Sequence, residues 1–238
     1  MKKIVITGGS GRFGTILKKN FFFKKSYFPT KNQLNILKTK SIRKYLISKK
    51  PKLLIHLAAL SRPMNIHNKN ISKSIDLNII GTANIVKICS ELKIKLIYFS
   101  TNYVYPSIKG NYDEDSSLLP INNYAWSKLG GECAVKLYKN SLILRVCMAE
   151  RPFIHKKAFS DFKTNFIFHD EVANILKKLL NKNGIINLGG PTKTVYNFAK
   201  KYNPNVKKIS AKKKLGKNFP LNSFMNLKKL NKIISKKS

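Results

Sequence analysis

The feature that most constrains the fold lies at the start of the chain, where a short apolar run leads into closely spaced glycines. Residues 3–7 read Lys-Ile-Val-Ile-Thr, a β-branched run that predicts a buried strand. Glycines follow at positions 8, 11 and 14, and a helical pattern continues to Asn20. Gly8 would permit a tight turn, Gly11 would let a pyrophosphate approach the backbone, and Gly14 would let helix and strand pack closely. A strand, a glycine turn and a helix in this order predict a dinucleotide-binding βα unit.

Further apolar runs alternate with helical segments along the first two thirds of the chain. This alternation indicates a parallel sheet covered by helices on both faces. We therefore predict an α/β fold, a Rossmann-type doubly wound parallel sheet, with a small and shortened C-terminal part. The later strands are predicted at residues 53–59, 96–101 and 141–146, with a weakly marked one near 26–29, and the helices at residues 41–49, 71–92 and 124–138.

The periodicity becomes looser from Ala149 onward. Two domains are expected, a dinucleotide-binding domain over residues 1–148 and a small substrate-binding part over residues 149–238 that packs on it. The lysine-rich residues 207–217 are expected to form a surface loop. Within the second part we predict an irregular span at residues 151–168, helices at 169–180 and 195–202, and a strand at 185–188.

A tyrosine and a lysine lie four residues apart in the predicted helix that begins near Tyr124. That spacing places Tyr124 and Lys128 on one helix face, one turn apart. An ammonium near a phenol should lower the pKa of the phenol, which could then give a proton to a carbonyl oxygen. Thr101, at the end of the preceding strand, could donate a second hydrogen bond to that oxygen. The alternative is that this spacing has arisen by chance, as it does on many helices.

Several of these features fall at the same edge of the predicted sheet. Ligands of parallel sheets bind outside the carboxyl ends of the strands. The glycine turn, the small pair Ala58 and Ala59, Thr101, and the pair Cys147 and Met148 each follow such a strand end. The common edge turns individually weak motifs into one predicted site.

The second strand lacks the acidic residue that would bind the ribose 2′-hydroxyl of NAD. No Asp or Glu occurs before Asp76. Thr30 and Lys31 stand at the corresponding position, and Arg12 lies in the glycine turn. A hydroxyl and two cations would attract a 2′-phosphate, which favours NADPH over NADH.

The composition is strongly basic, with a formal net charge of +37. Of the 47 basic residues, 42 are lysines, and they are spread along the chain rather than grouped. Arginine recognises phosphates and bases with better geometry than lysine does, and nearly all the basic residues here are lysines. Compositional drift of the sequence therefore explains the charge better than a nucleic-acid partner does. The alternative, a polyanion partner, remains open.

Other residues receive a structural interpretation. Cys89, Cys133 and Cys147 have no metal-like spacing, and we expect buried free thiols and no metal site. With no apolar run of transmembrane length and no signal-peptide pattern, a cytoplasmic location without membrane attachment is expected. His56 is expected to be a core histidine. Asn78 either bonds to a neighbouring backbone or faces solvent, and residues 113–115 are expected to form a solvated acidic loop.

Taken together, these residues resemble the extended short-chain dehydrogenase/reductases, and within them the dTDP-4-dehydrorhamnose reductase group. The segment Ser-Thr-Asn-Tyr-Val-Tyr at residues 100–105 is similar to the group's Ser-Thr-Asp-Tyr-Val-Phe. Two departures are that the substrate part is short and that Cys147-Met148 replaces a large residue after the fifth strand. The resemblance is carried by residues 8–14, 34–36, 57–59, 78–82, 100–105, 124–132, 144–145 and 220–230.

The resemblance implies NADPH-dependent reduction of a nucleotide-linked 4-keto sugar, as in dTDP-rhamnose biosynthesis. Tyr124 would donate the proton, Lys128 would bind the nicotinamide ribose, and Thr101 would orient the keto oxygen. Asn35 stands where the group often has an aspartate near the adenine. A homodimer is a further expectation. The implied cofactor contacts are Gly8, Gly11, Arg12, Phe13, Gly14, Thr30, Lys31, Asn35, Ile36, Ala58, Ala59, Leu60, Tyr124 and Lys128.

Two other functions remain open. An epimerase or dehydratase of the same superfamily would keep its cofactor bound through each turnover. A non-catalytic subunit would keep the nucleotide site as a scaffold, although it would have no physical need for Thr101, Tyr124 and Lys128.

Overall fold

The computed structural model describes residues 3–235 and has a five-stranded sheet with the order β1-β2-β3-β4-β9. Every residue of β1, β2 and β4 is buried, as expected for a sheet covered on both faces. The predicted α/β fold of Rossmann type is confirmed. The strands are β1 Ile4–Thr7, β2 Leu53–His56, β3 Lys95–Thr101, β4 Ser141–Val146 and β9 Gly184–Leu188.

The first three strands pair in parallel. Ile4 lies opposite Leu53 in β2, and Leu53 lies opposite Lys95 in β3. The weakly marked second strand is reduced to one bridge, in which the Tyr27 amide donates to the Ile4 carbonyl and the Ile6 amide donates to Tyr27, both over 2.8 Å. Because this strand is reduced to a single bridge, its pattern in the sequence is weak.

The helices that follow these strands begin and end close to their predicted positions. The predicted helix over residues 71–92 has a π-helical turn at Asp76–Ile80 in its middle, which places Asn78 in the interior. Such turns are frequent at functional sites. The helices are α1 Arg12–Lys19, α2 Thr39–Lys49, α3 Ile66–Lys69, α4 Ile71–Ile75, α5 Gly81–Glu91 and α6 Asn123–Lys136.

The chain divides into two compact units, and each is made of several segments. The first comprises residues 1–100, 122–144 and 179–185, and the second comprises residues 101–121, 145–178 and 186–238. The core of the first unit is aliphatic and includes Val5, Leu54, Ile85 and Leu96. The functional division at residue 148 that we expect from the sequence stays a prediction.

The second unit is built from short pieces around an aromatic core that includes Phe153, Phe168 and Phe198. The predicted helix at residues 195–202 is confirmed, and the span 151–168 holds three short strands. The strands are β5 Met148–Ala149, β6 Lys157–Phe159, β7 Lys163–Thr164, β8 Ile167–Phe168, β10 Lys193–Thr194 and β11 Lys207–Ile209. The helices are α7 His169–Leu179, α8 Val195–Tyr202, α9 Ala211–Leu215 and α10 Lys228–Ile234.

Two structural expectations are wrong, and a third holds for Asp113 and Asp115 but not for Glu114. The lysine-rich residues 207–217 are not a loop, because β11 pairs in parallel with β6 and α9 follows it. Cys133 is exposed, whereas Cys89 and Cys147 are buried. In the acidic segment, the Glu114 carboxylate is only half exposed and accepts a hydrogen bond from the Asn187 amide over 2.9 Å.

Within residues 3–235, the helices are too short or too polar to cross a bilayer. The same residues contain no group of three His, Cys, Asp or Glu side chains that could hold a metal ion.

Candidate active site

The glycine turn between β1 and α1 has no room for a side chain at Gly8 or Gly14. A Cβ on Gly8 would lie 2.6 Å from the Ala58 nitrogen, and Gly8 has a φ of +72°. A Cβ on Gly14 would lie 2.4 Å from the Gly8 carbonyl oxygen. The Gly11 amide donates to that oxygen over 3.0 Å, and α1 begins at Arg12 without a side-chain cap. The helix start is therefore a narrow backbone cradle that fits a dinucleotide phosphate.

The segment after β2 is fixed by the buried side chain of Asn78. The Leu60 amide donates to Asn78 Oδ1 over 2.7 Å, and Asn78 Nδ2 donates to the Leu60 carbonyl over 2.9 Å. Asn78 Nδ2 also donates to Ser127 Oγ over 2.8 Å, and the Ser127 hydroxyl donates to the Tyr124 carbonyl over 2.7 Å. One asparagine thus ties the loop after β2 to the first turn of α6. Of the two options for Asn78, the structure has the one with backbone bonds.

Ala58 and Ala59 leave the backbone of this loop accessible beside the glycine turn. Ala58 is half-buried and Ala59 is exposed. The Ala58 backbone lies directly beside Gly8. This pair therefore leaves space for a flat ligand.

Tyr124 lies in the first turn of α6, where Asn122 caps the helix by accepting a hydrogen bond from the Ala125 amide over 2.9 Å. The Tyr124 side chain is partly buried, and its ring lies 5.1 Å from the ring of His67. The two ring planes are inclined at 58°. The cap and the ring contact together fix the position of the phenol.

Lys128 follows one turn later and is only 4% exposed. Its ammonium lies 4.1 Å from the centre of the Tyr98 ring, and the Tyr98 hydroxyl donates to the Lys128 carbonyl over 2.9 Å. Burial lowers the pKa of Lys128 to about 7, and Glu132 acts in the opposite direction. At neutral pH the ammonium and the neutral amine of Lys128 are therefore both populated.

The expectation that Lys128 lowers the pKa of Tyr124 is wrong for this structure. Burial raises the pKa of Tyr124 to about 12, and the group that opposes this shift is Arg62. The physical reason is that burial disfavours the phenolate more strongly than nearby cations favour it. The phenol therefore stays protonated at neutral pH and is available as an acid.

His56 is a satisfied core histidine, as expected. Its Nδ1 lies 2.8 Å from Thr7 Oγ1, and its Nε2 lies 3.2 Å from Thr82 Oγ1. Burial, assisted by Lys128, lowers the pKa of His56 to about 3, so the ring is neutral at physiological pH. It is not suited to act as a base.

The remaining predicted cofactor contacts differ in exposure. Arg12, Thr30 and Lys31 are exposed, so their polar groups are accessible to a ligand. Phe13 instead packs against Phe99, with ring centres 5.2 Å apart, and only its backbone could face a ligand.

Asn35 and Ile36 serve local structure. Asn35 Oδ1 accepts a hydrogen bond from the Leu37 amide over 3.0 Å. Ile36 is buried, and its carbonyl accepts a hydrogen bond from Asn84 Nδ2 over 3.0 Å. Any contact that these two residues make with an adenine stays a prediction.

Thr101 is the last residue of β3 and belongs to the second unit. It is 5% exposed, and its hydroxyl oxygen accepts a hydrogen bond from the Tyr103 amide over 3.3 Å. Cys147 lies in the same unit, with its sulfur 3.0 Å from Thr164 Oγ1. The predicted joint action of Thr101 with Tyr124 stays a prediction.

Sequence reasoning missed Arg62 and His67, which lie near Tyr124, and Ser74, which contacts the His67 ring. They lie in or beside α3 and α4, two helices too short to show a clear hydrophobic period. The one available signal was a histidine within a polar segment, which alone predicts nothing. Ser127, which bridges Asn78 and Tyr124, was also missed.

A model of the family described as the RmlD substrate binding domain matches residues 1–151, which is more than half of the chain. Among curated relatives, the methionine adenosyltransferase 2 subunit beta of Xenopus laevis is 30% identical over 155 residues. That match covers 61% of this chain and 46% of the relative.

The dTDP-D-glucose 4,6-dehydratase of Dictyostelium discoideum is 32% identical over 184 residues, covering 61% of this chain and 42% of the relative. The chain thus spans about half the length of these curated relatives, or slightly less.

Among solved structures, the chain is similar to dTDP-4-dehydrorhamnose reductase from Bacillus anthracis in complex with NADP. The TM-score is 0.84 at 22% identity, and the match covers 97% of this chain and 92% of that one. At this identity the likeness establishes the fold. From the family model and the fold together, the chain belongs to the RmlD family within the extended short-chain dehydrogenase/reductases.

Proposed function

We propose that the chain is an NADPH-dependent reductase of a keto group on a nucleotide-linked sugar, with a 4-keto-6-deoxyhexose as the preferred substrate. The observation that carries this proposal is the arrangement of the first unit. There the glycine cradle lies against the backbone of Ala58. Asn78 ties the loop after β2 to the first turn of α6, which holds a protonated, partly buried Tyr124. The family membership and the NADP complex of a structural relative support the same function.

In the proposed reaction, NADPH supplies the hydride when it is bound. The backbone of residues 8–14 holds the pyrophosphate, and the exposed Arg12, Thr30 and Lys31 attract a 2′-phosphate. Tyr124 donates its phenolic proton to the keto oxygen, and Lys128 positions the ribose. The role of Thr101 as a second donor to the keto oxygen stays a prediction. A phenol with a pKa of about 12 keeps this proton until the substrate oxygen requires it.

Substitution of Tyr124 tests this function. Tyr124→Phe should lower kcat by roughly 10²–10⁴-fold, the usual contribution of a general acid, while the Kd for NADPH stays within about twofold. The measurement is consumption of NADPH with a dTDP-4-keto-6-deoxyhexose. Tyr138→Phe is the matched control, because that phenol donates to the carbonyls of Cys89 and Ile94 in the core. Wild-type turnover by Tyr124→Phe would exclude the acid role.

A dehydratase or epimerase is a second candidate, because a matching relative carries the name of a 4,6-dehydratase. Such an enzyme regenerates its cofactor in each turnover. With a dTDP-hexose it would convert the sugar without net loss of NADPH, whereas the reductase consumes one NADPH for each sugar.

A non-catalytic subunit is a third candidate, because the relative from Xenopus laevis carries the name of a subunit beta. This function predicts NADPH binding without turnover of any keto sugar, and no change on Tyr124→Phe. Comparison of NADPH with NADH in the binding assay also tests the preference for the phosphorylated cofactor. A homodimer, a cytoplasmic location and the absence of a nucleic-acid partner remain predictions.

A further inference from the structure

Glu132 is a buried carboxylate in α6 that has no part in the function proposed above. It is 2% exposed and lies one helical turn after Lys128, which is 4% exposed. Residues four apart on a helix share one face. This face is the buried one, since the buried residues of α6 are Ala125, Ser127, Lys128, Gly131, Glu132 and Val135. The interior of the first unit therefore holds an amine and a carboxylate on successive turns of one helix.

The α6 backbone approaches Tyr98 of β3 closely between these two residues. A Cβ on Gly131 would lie 2.7 Å from the Tyr98 hydroxyl oxygen. The Tyr98 ring centre lies 4.1 Å from the Lys128 ammonium nitrogen. Burial raises the pKa of Tyr98 well above its usual value, and the charges of Tyr124 and Glu132 add to this effect. Lys128 and Glu132 therefore both act on the same buried phenol.

Two groups oppose the effect of burial on Lys128. Burial favours the neutral amine and lowers the pKa of Lys128 to about 7, although the charge of Glu132 acts in the opposite direction. The face of the Tyr98 ring also attracts a cation. Lysine and glutamate are rarely buried without compensation, and apolar residues of similar volume often stabilise a fold equally well. The buried carboxylate therefore indicates a use for the charge of the lysine.

Glu132 is the buried member of the three acidic residues that the first unit contains. Glu91 on α5 is exposed and pairs with Arg43, and Asp76 in the π-helical turn is only half-buried. The titratable and charged groups on the elements around Lys128 are His56 on β2, Lys95 and Tyr98 on β3, His67 and Lys69 on α3, Lys73 on α4, Asp76 in the π-helical turn, Lys87, Cys89 and Glu91 on α5, and Tyr124, Glu132, Cys133 and Lys136 on α6.

We propose that Glu132 is a positioning residue of the cofactor site: its buried carboxylate keeps Lys128 in the ammonium form, in which the lysine donates to a hydroxyl of the nicotinamide ribose. The inference deepens the proposed function and rests on it, because that function assigns the ribose to Lys128. A hydrogen bond from an ammonium is roughly twice as strong as one from a neutral group. The cofactor should therefore bind the ammonium form better than the neutral amine, and Glu132 acts through Lys128.

NMR of lysine side chains tests the charge of Lys128 without cofactor or substrate. In protein labelled with ¹³C at the lysine ε-carbon, Lys128 should titrate near pH 7, far below other lysines, and a Lys128→Met spectrum assigns its resonance. In Glu132→Gln the midpoint should fall by about one pH unit, the usual effect of losing an opposite charge. Glu132→Asp keeps the charge and should lower the midpoint by less than half as much.

Glu91→Gln is the matched control for this titration. It removes the same charge from an exposed position on the neighbouring helix α5 and should leave the midpoint of Lys128 unchanged. An unchanged midpoint in Glu132→Gln, or an equal fall in Glu91→Gln, would overturn the proposal whether or not the chain is a reductase.

NADPH binding at several pH values, measured without any sugar, tests the use of this charge. If the ammonium is the binding form, a midpoint lowered by one pH unit from about 7 should weaken NADPH binding about fivefold at pH 7 in Glu132→Gln, and the difference from the wild type should disappear by about pH 5. Comparison of the two proteins at the same pH cancels the titration of the cofactor's own phosphates. Direct repulsion between Glu132 and the anionic cofactor predicts the opposite sign, because its removal would tighten binding.

A second substitution shows whether Glu132 acts through Lys128. In a Lys128→Met background, Glu132→Gln should no longer change the pH dependence of the Kd. A Kd in Glu132→Gln that equals the wild-type value at every pH, despite a lowered midpoint of Lys128, would overturn the proposal. If these shifts appear but no keto sugar is reduced, the reductase function fails and the role of Glu132 stands. If turnover is present and the shifts are absent, only the inference on Glu132 fails.

Discussion

The two units of the chain use buried polar side chains in different ways. In the first unit the core is aliphatic, and many of its buried polar groups gather around the candidate site, among them His56, Asn78, Ser127 and Lys128. In the second unit six strands have only two or three residues, and buried asparagines, serines and threonines join the loops between them. Buried polar side chains therefore surround the candidate site in the first unit. In the second unit they connect loops in place of long strands and helices.

Asn187 is the clearest example in the second unit. Its Oδ1 accepts a hydrogen bond from the Tyr105 hydroxyl over 2.8 Å, and its Nδ2 donates to the Tyr112 carbonyl over 2.9 Å and to the Asn226 carbonyl over 3.3 Å. The guanidinium of Arg145 also donates to the Tyr105 hydroxyl, over 2.8 Å. Such a network stabilises a fold only while all its members are paired.

The largest effect is expected from Asn187→Ala. The substitution removes three hydrogen bonds and leaves buried carbonyls without partners, so the free energy of unfolding should fall by about 4 kcal/mol. Urea unfolding measures this change. Asn205→Ala, at an exposed position of the same unit, should change it by less than about 0.5 kcal/mol. A small effect at Asn187 would remove the basis for separating the two units.

A somewhat smaller effect is expected from an aliphatic deletion in the first unit. Leu54 is fully buried in β2, and Leu54→Ala should cost about 3 kcal/mol through lost burial and a cavity. The volume-conserving Leu54→Met should cost less than about 1.5 kcal/mol.

The corresponding volume-conserving change in the second unit is Asn187→Leu. It should cost nearly as much as Asn187→Ala, because volume is not what Asn187 supplies. If Leu54→Met and Asn187→Leu lowered the free energy of unfolding in urea by similarly small amounts, the contrast between the two units would be contradicted.

The different organisation of the two units also explains how much of each unit could be predicted from the sequence. In the first unit the strands are apolar runs separated by long helical segments, so β1, β2 and α6 were predicted within a few residues, together with the parallel sheet. The glycine turn was predictable because its strand and helix neighbours are adjacent in the sequence.

In the second unit the structure depends on partners far apart in the sequence. The start of α9 is fixed by the carboxylate of Asp161, which accepts hydrogen bonds from the amides of Ala211 and Lys212 and from the Ser210 hydroxyl, some 50 residues away. The Ser210 hydroxyl oxygen also accepts a hydrogen bond from the Lys213 amide, but this local cap alone does not predict a helix, and the lysine-rich segment was therefore predicted as a loop. The predicted decrease in the pKa of Tyr124 was wrong for a similar reason, since the burial that raises this pKa arises from tertiary packing.

Removal of the Asp161 carboxylate should have an intermediate effect. Asp161→Ala should destabilise the protein by about 1.5 kcal/mol, as is usual for loss of a helix cap. Hydrogen exchange should show faster exchange at residues 211–215 than in the wild type. Asp115→Ala is the control, because that carboxylate is in the same unit and is exposed. Unchanged exchange at α9 in Asp161→Ala would mean that its packing, rather than this cap, forms the helix.

The smallest effect is expected from mild acid, and it should be specific to the first unit. The folded protein keeps His56 neutral down to a pKa of about 3, whereas the unfolded chain binds a proton near 6.5. Because the unfolded state binds more protons between these values, stability falls as the pH falls through this window, by about 1 kcal/mol from pH 6.5 to 5.5. His56→Gln should abolish this part of the slope.

The buried asparagines, serines and threonines of the second unit do not titrate, so its amides should keep their protection over this pH range. Hydrogen exchange, corrected for the intrinsic dependence on pH, should therefore show a loss that begins around β1, β2 and α5, where Thr7 and Thr82 hold the His56 ring. A loss that began in the second unit would show that its polar network contains a titrating group, and the division between chemical and structural polar burial would have to be abandoned.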